Sequence, residues 1–131
     1  MATALDADKI EQIEKEAATT SLPKVADFLQ DQLGQKLTAY IAGLTDPKAV
    51  GSWIRKESAP RPLADMRLRY AFKVVRLIVE AYDAETAKAW LFGTNTRLND
   101  EAPAYLLRNA EKVDDLRLLV PIARAFAGSA A

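Results

Sequence analysis

Residues 63–82, LADMRLRYAFKVVRLIVEAY, decide the fold. Wound at about 3.6 residues per turn, this stretch puts Asp65, Arg69, Lys73, Arg76 and Glu80 on one narrow stripe. Arg67 is the only other charge, and it lies off that line. Leu63, Met66, Leu68, Tyr70, Phe72, Val74, Val75, Leu77, Ile78, Val79 and Tyr82 cover most of the remaining circumference. A surface helix shows one apolar face; a helix apolar over most of its girth needs neighbours on several sides. Its length, roughly 30 Å at 1.5 Å per residue, is about the width of a small domain. Pro62 suits the first turn, and Asp65–Arg69 and Arg76–Glu80 add i,i+4 pairs. The expectation is an all-α fold, a compact helical domain around one long central helix.

Working outward, helix punctuation recurs on both sides. Asp8 with Glu11 reads as a capping box opening a helix over about 8–18, whose thin stripe of Ile10, Ile13 and Ala17 suits a peripheral arm. Ser21 and Pro23 open a second helix that ends before Gly34, with Leu22, Val25, Ala26, Leu29 and Leu33 as its core face. A short helix over 35–42 stops at Gly43. Another comes after a Thr45 cap with Pro47 in its first turn, and carries Val50, Trp53 and Ile54. Pro60 and Pro62 turn the corner into the central helix. Beyond it, Asp83 caps a helix over 84–92, and 94–99 is a loop. Asn99 or Asp100 caps a short helix through Asn109, and a final helix over 112–127 should kink or split at Val120, ahead of Pro121. Three regions of one compact unit result: an arm at 1–20, a middle at 21–62, and the central helix with the C-terminal helices at 63–131.

Composition narrows the function classes. The 131 residues hold no cysteine and no histidine, which removes thiolate and imidazole metal sites and the usual general base. The acids are spread along exposed stripes, so no catalytic residue is assigned, no metal site and no cofactor is expected, and an enzyme is not the reading. No run reaches the 18 apolar residues of a membrane span, and the N-terminus lacks a signal peptide's pattern. The expectation is a cytoplasmic protein with no membrane partner.

The net charge of zero hides a division. Residues 48–76 hold eight bases against two acids, whereas residues 1–33 hold three bases against seven acids. The basic middle is either an anion-binding face or a solvated stripe with acidic neighbours folded beside it.

Leu37, Ile41, Val50 and Trp53 anchor two short helices across a glycine turn. The arrangement resembles the helix-turn-helix of the Xre and lambda-repressor type, in which the second helix enters the major groove. That resemblance implies Lys48, Ala49, Ser52 and Lys56 as base readers, with Arg55, Arg61 and Arg67 meeting phosphates. Gly43 to Val50 is one residue longer than the usual spacing, Gly51 weakens the second helix, and Asp46 sets a negative charge beside it.

Further on, Trp90-Leu91, Asn95, Leu98, Pro103 and Leu106-Leu107 give the spacing W-L-x-x-x-N-x-x-L-x-x-x-x-P-x-x-L-L. This resembles the toxin-binding half of the Xre/MbcA/ParS antitoxin family, and with the preceding elements the likeness covers about residues 33–128. By residue chemistry Trp90 suits a core anchor against Leu77 or Ile78, Asn95 a loop closed onto backbone, and Pro103 a helix start. The family often has glycine where this chain has Asn99-Asp100, although Asn tolerates a left-handed turn.

The resemblance implies an antitoxin of a type II toxin–antitoxin system. Its partner would be a RES-domain, NAD-consuming toxin whose active site it covers, and it would form a homodimer and repress its own operon. The implied toxin contacts are Arg117, Val120, Arg124 and Phe126, with Phe126 alternatively capping the core. The alternative is a stand-alone helix-turn-helix regulator that dimerises through its C-terminal half.

Overall fold

The computed structural model describes residues 2–130. In it the long helix α5 spans Pro62–Ala81, with Ala64, Leu68, Ala71, Phe72, Val74, Val75, Leu77, Ile78 and Ala81 buried. Six helices pack against it: α1 (Ala7–Thr19), α2 (Leu22–Leu33), α3 (Gln35–Ala42), α6 (Ala84–Phe92), α7 (Pro103–Asn109) and α8 (Leu119–Gly128). The remaining helix, α4 (Lys48–Ile54), packs on α2 and α3 instead. Eight α-helices lie among the described residues, and one hydrophobic core runs through them. The only β-type pairing among the described residues is an isolated bridge between Asn95 and Glu101.

Helix α1 is more firmly held than an arm. Ile13 and Ala17 are fully buried. Arg76 donates to the Glu16 carboxylate at 2.5 Å, and Lys9 pairs with Glu80 at 3.2 Å. Arg69 bonds Asp65 at 3.0 Å and reaches the carbonyls of Ala17 (3.2 Å) and Thr20 (2.8 Å), closing the C-terminal end of α1. The acidic first helix thus lies over the α5 part of the basic middle. Ahead of it, the Thr3 N–H donates to the Ala81 carbonyl at 2.6 Å, and the Leu5 N–H to Ala127 at 3.4 Å.

Four local expectations are corrected. The cap of α1 is Asp6, whose side chain accepts from the Lys9 N–H at 2.9 Å, so the helix starts earlier than Asp8 suggested. Asp46 rather than Thr45 opens α4, accepting from the Lys48 N–H at 3.0 Å. Neither Asn99 nor Asp100 caps α7; both are left-handed, at φ 57° and 64°, and Ala102 precedes the helix. The final helix is divided ahead of Val120: a 3₁₀ turn over Val113–Leu116 leads into α8 from Leu119. Pro121 explains the break, because its ring would strike the carbonyl of Arg117, four residues back, if one helix ran through.

Candidate interaction surfaces

The turn between α3 and α4 is built on backbone carbonyls held by arginines. Gly43 is left-handed at φ 95° and ends α3, leaving that helix's last carbonyls without intrahelical partners. Arg67, from α5, donates to the Ala42 carbonyl at 3.1 Å. Its Nε and Nη2 both reach the Ala110 carbonyl, at 3.0 and 2.8 Å. Arg108, from α7, donates to the carbonyls of Tyr40 (2.6 Å) and Leu44 (3.2 Å), with its guanidinium 4.5 Å from the Tyr40 ring. A Cβ on Gly43 would strike the Arg67 guanidinium, so glycine is required twice over. Arg67 is therefore half-buried structure rather than a phosphate contact.

The same bookkeeping empties most of the basic middle. Arg69 and Arg76 hold α1, and Lys73 lies 4.8 Å from the Tyr70 ring. The Arg76 guanidinium also sits 6.0 Å from the Phe28 ring and 5.9 Å from Phe72, which pack edge-on at 5.2 Å. Its hydrogen bond and charge hold the Glu16 carboxyl below the usual glutamate range.

Of the expected DNA contacts, Arg55 is exposed but engaged. Its Nε and Nη2 each lie 3.0 Å from a different Glu57 oxygen, a fork that lowers the carboxyl's pKa and raises that of the guanidinium. Ser52 is half-buried. Lys48, Lys56 and Arg61 are exposed, with no ion pair among the described residues. Lys56 is left-handed at φ 63°, just past the end of α4. Gly51 is buried, and a Cβ there would come 2.9 Å from the Arg55 Nη1, so the small residue lets that arginine fold back.

A second surface lies at the opposite end of the sequence. Phe126, on α8, stacks on Tyr82 with centroids 4.8 Å apart and lies 6.2 Å from the Trp90 ring. Trp90 is half-buried and packs against the core from its edge. It lines a cleft of about 340 Å³ with Asn95, Arg97, Ile122, Ala125, Phe126 and Ser129. The Asn95 side chain accepts from the Arg97 N–H at 3.0 Å, closing the loop onto its own backbone as its type suggests. Leu98, Pro103 and Leu107 are buried.

The expected partner contacts separate. Arg117 is exposed and pairs with Asp114 at 3.3 Å. Arg124 donates to Glu14 at 2.5 Å, tying α8 to α1. Phe126 is half-buried: it packs against the core, the alternative role given to it, and it also lines the cleft. Val120 is only 8% exposed and supports α8 from inside, so it offers a partner no surface.

Sequence reasoning passed over Arg97, Ile122, Ala125 and Leu118. Arg97 borders both this cleft and a neighbouring one of about 230 Å³ that reaches Arg117 and Leu118. Leu118 is 51% exposed, an apolar side chain left outside because the helix break turns it out of the core. No helix among the described residues is long and apolar enough to cross a membrane. Comparison with protein-family models, curated proteins and solved structures gave no match.

Proposed function

We propose that this chain is an antitoxin that binds a RES-domain, NAD-consuming toxin and silences it by covering the opening of its active site. One juxtaposition carries the reading. Trp90 and Asn95, two residues of the motif that resembles the antitoxin family, border the same cleft as Ile122 and Phe126 of the last helix. That helix is where the resemblance puts the partner. The exposed Arg97, Arg117 and Leu118 extend the surface with a mixture of charge and apolar area suited to a protein interface. Occlusion needs no acid, base, metal or cofactor from the inhibitor, so a chain without histidine or cysteine is equal to it.

Co-expression with a RES-domain protein encoded beside it is the test. The tagged chain should retain the toxin on purification and preserve cellular NAD. Recovery of the chain alone, with NAD still consumed, would refute the reading.

A second reading rests on a separate observation, the exposed Lys48, Lys56 and Arg61 on α4 and the corner after it. In a homodimer these would give a cationic pair of surfaces for a palindromic operator, so the antitoxin would repress its own operon. A chain that bound operator DNA but no toxin would instead be a stand-alone regulator. With three phosphates met per protomer, log K should fall against log salt with a slope of about −3 per protomer. A salt-independent affinity, or none, would remove the DNA role.

A further inference from the structure

A second, separate groove lies where the turn after α3, one side of α4 and the Pro-rich corner meet the start of α5. It has a volume of about 540 Å³, well inside the range of small-molecule sites. Its walls are apolar, chiefly Leu44, Ala49, Trp53, Pro60, Leu63 and Ala64. Leu63 is 41% exposed at the mouth, although it belongs to the central helix. The only charged residues lining the groove are Arg61 and Arg67, and no acid lines it.

Nearby carboxylates are already committed. Asp65 bonds Arg69, Glu57 bonds Arg55, and Asp46 accepts from the Lys48 N–H. Arg67 is held at the groove by carbonyls alone, so its positive charge has no carboxylate partner there. Arg61 has no ion pair among the described residues. An apolar trough with two guanidinium charges and no anion is complementary to a molecule with an apolar body and one anionic head.

We propose that this groove binds a small amphipathic carboxylate, its chain lying along Trp53, Ala49 and Leu63 and its carboxylate accepting from Arg61 beside Arg67. The walls are preset for this role. Pro60 and Pro62 fix the corner, and the Gly43–Arg67 contact fixes the opposite side. The site is distinct from the Trp90–Phe126 cleft and shares no residue with it.

Decanoate is the probe, with decanol as the uncharged control. In the 131-residue Trp90→Phe chain, Trp53 is the single indole and reports occupancy by its fluorescence. Decanoate should give a saturable shift at one site per chain, and decanol should bind at least about tenfold more weakly. Arg61→Gln, at an exposed position, should bring decanoate down to the decanol level. Ala49→Phe should abolish binding of both by filling the trough, and a thermal melt of each variant shows that it is folded. An absent or unsaturable decanoate response overturns the proposal. So does equal affinity for the two probes, or charge selectivity that survives Arg61→Gln. Binding of an acidic apolar peptide in place of decanoate would likewise overturn it and assign the groove to a protein segment.

Discussion

Replacing Arg67 with alanine should cost this protein more than its half-buried position suggests. Its guanidinium makes three hydrogen bonds, but two converge on the single carbonyl of Ala110, so two acceptors lose their partner. A hydrogen bond from a charged donor contributes about 1.5–3 kcal/mol, and partial water access places each of these at the lower end. The sum is about 3 kcal/mol, or roughly 10 °C in Tm for a chain of this size. Arg67→Lys keeps the charge but cannot fork between Ala42 and Ala110, so it should recover less than half of the loss. Urea denaturation followed by circular dichroism measures both variants. A loss under about 0.5 kcal/mol for alanine, or full rescue by lysine, would mean that the guanidinium does not hold α3, α5 and α7 together.

Three further substitutions probe other parts of the fold. Leu77→Ala, at a fully buried position, should destabilise by about 3–5 kcal/mol, and Trp90→Ala, at the core's edge, by no more than about half of that; equal losses would return Trp90 to the centre of the core. The Glu16 carboxyl is held low by Arg76, so its contribution is present above the unfolded pKa and lost as pH falls through the lower folded value. Glu16→Gln should therefore destabilise modestly at neutral pH, by under about 1 kcal/mol, and flatten the acid side of the Tm profile; an unchanged acid limb would dismiss the pair. Asp100→Gly should stabilise by up to about 1 kcal/mol, because the left-handed backbone at φ 64° penalises a side chain, and a melt showing destabilisation would contradict that account.

Much of the architecture was legible because apolar periodicity and helix punctuation agreed. Residues 63–82 read as the central helix and form one over Pro62–Ala81, and the bounds of α2, α3 and α6 are those set by Ser21, Gly34, Gly43, Asp83 and Gly93. Caps were less legible where several candidates stood together: Asp6 competes with Asp8, and Asp46 with Thr45. The acids that sequence numbering scatters were harder still. Arg76 and Glu16 are 60 positions apart and Arg124 and Glu14 are 110 apart, so nothing local announces their pairing. Arg55 and Arg69 pair locally, Arg76 pairs at a distance, Arg67 is held by carbonyls and Lys73 lies by Tyr70, so among the described residues the eight cations of the basic middle reduce to three exposed ones without an ion pair, Lys48, Lys56 and Arg61. The C-terminal surface was half visible. Phe126 and Arg117 were picked out by position in the last helix, but Val120 turned inward and Leu118 outward once Pro121 divided that helix.

The most direct measurement is inhibition of a purified RES-domain toxin's NAD consumption by the intact chain and by Ala125→Arg. Ala125 is exposed on α8 and lines the Trp90–Phe126 cleft, and arginine keeps helix propensity close to that of alanine. The expected result is stoichiometric inhibition by the natural chain and its loss in Ala125→Arg at an unchanged Tm, while Lys48→Glu/Lys56→Glu inhibits normally. Full inhibition by Ala125→Arg, with the double charge reversal inactive, would put the toxin on the other end of the molecule.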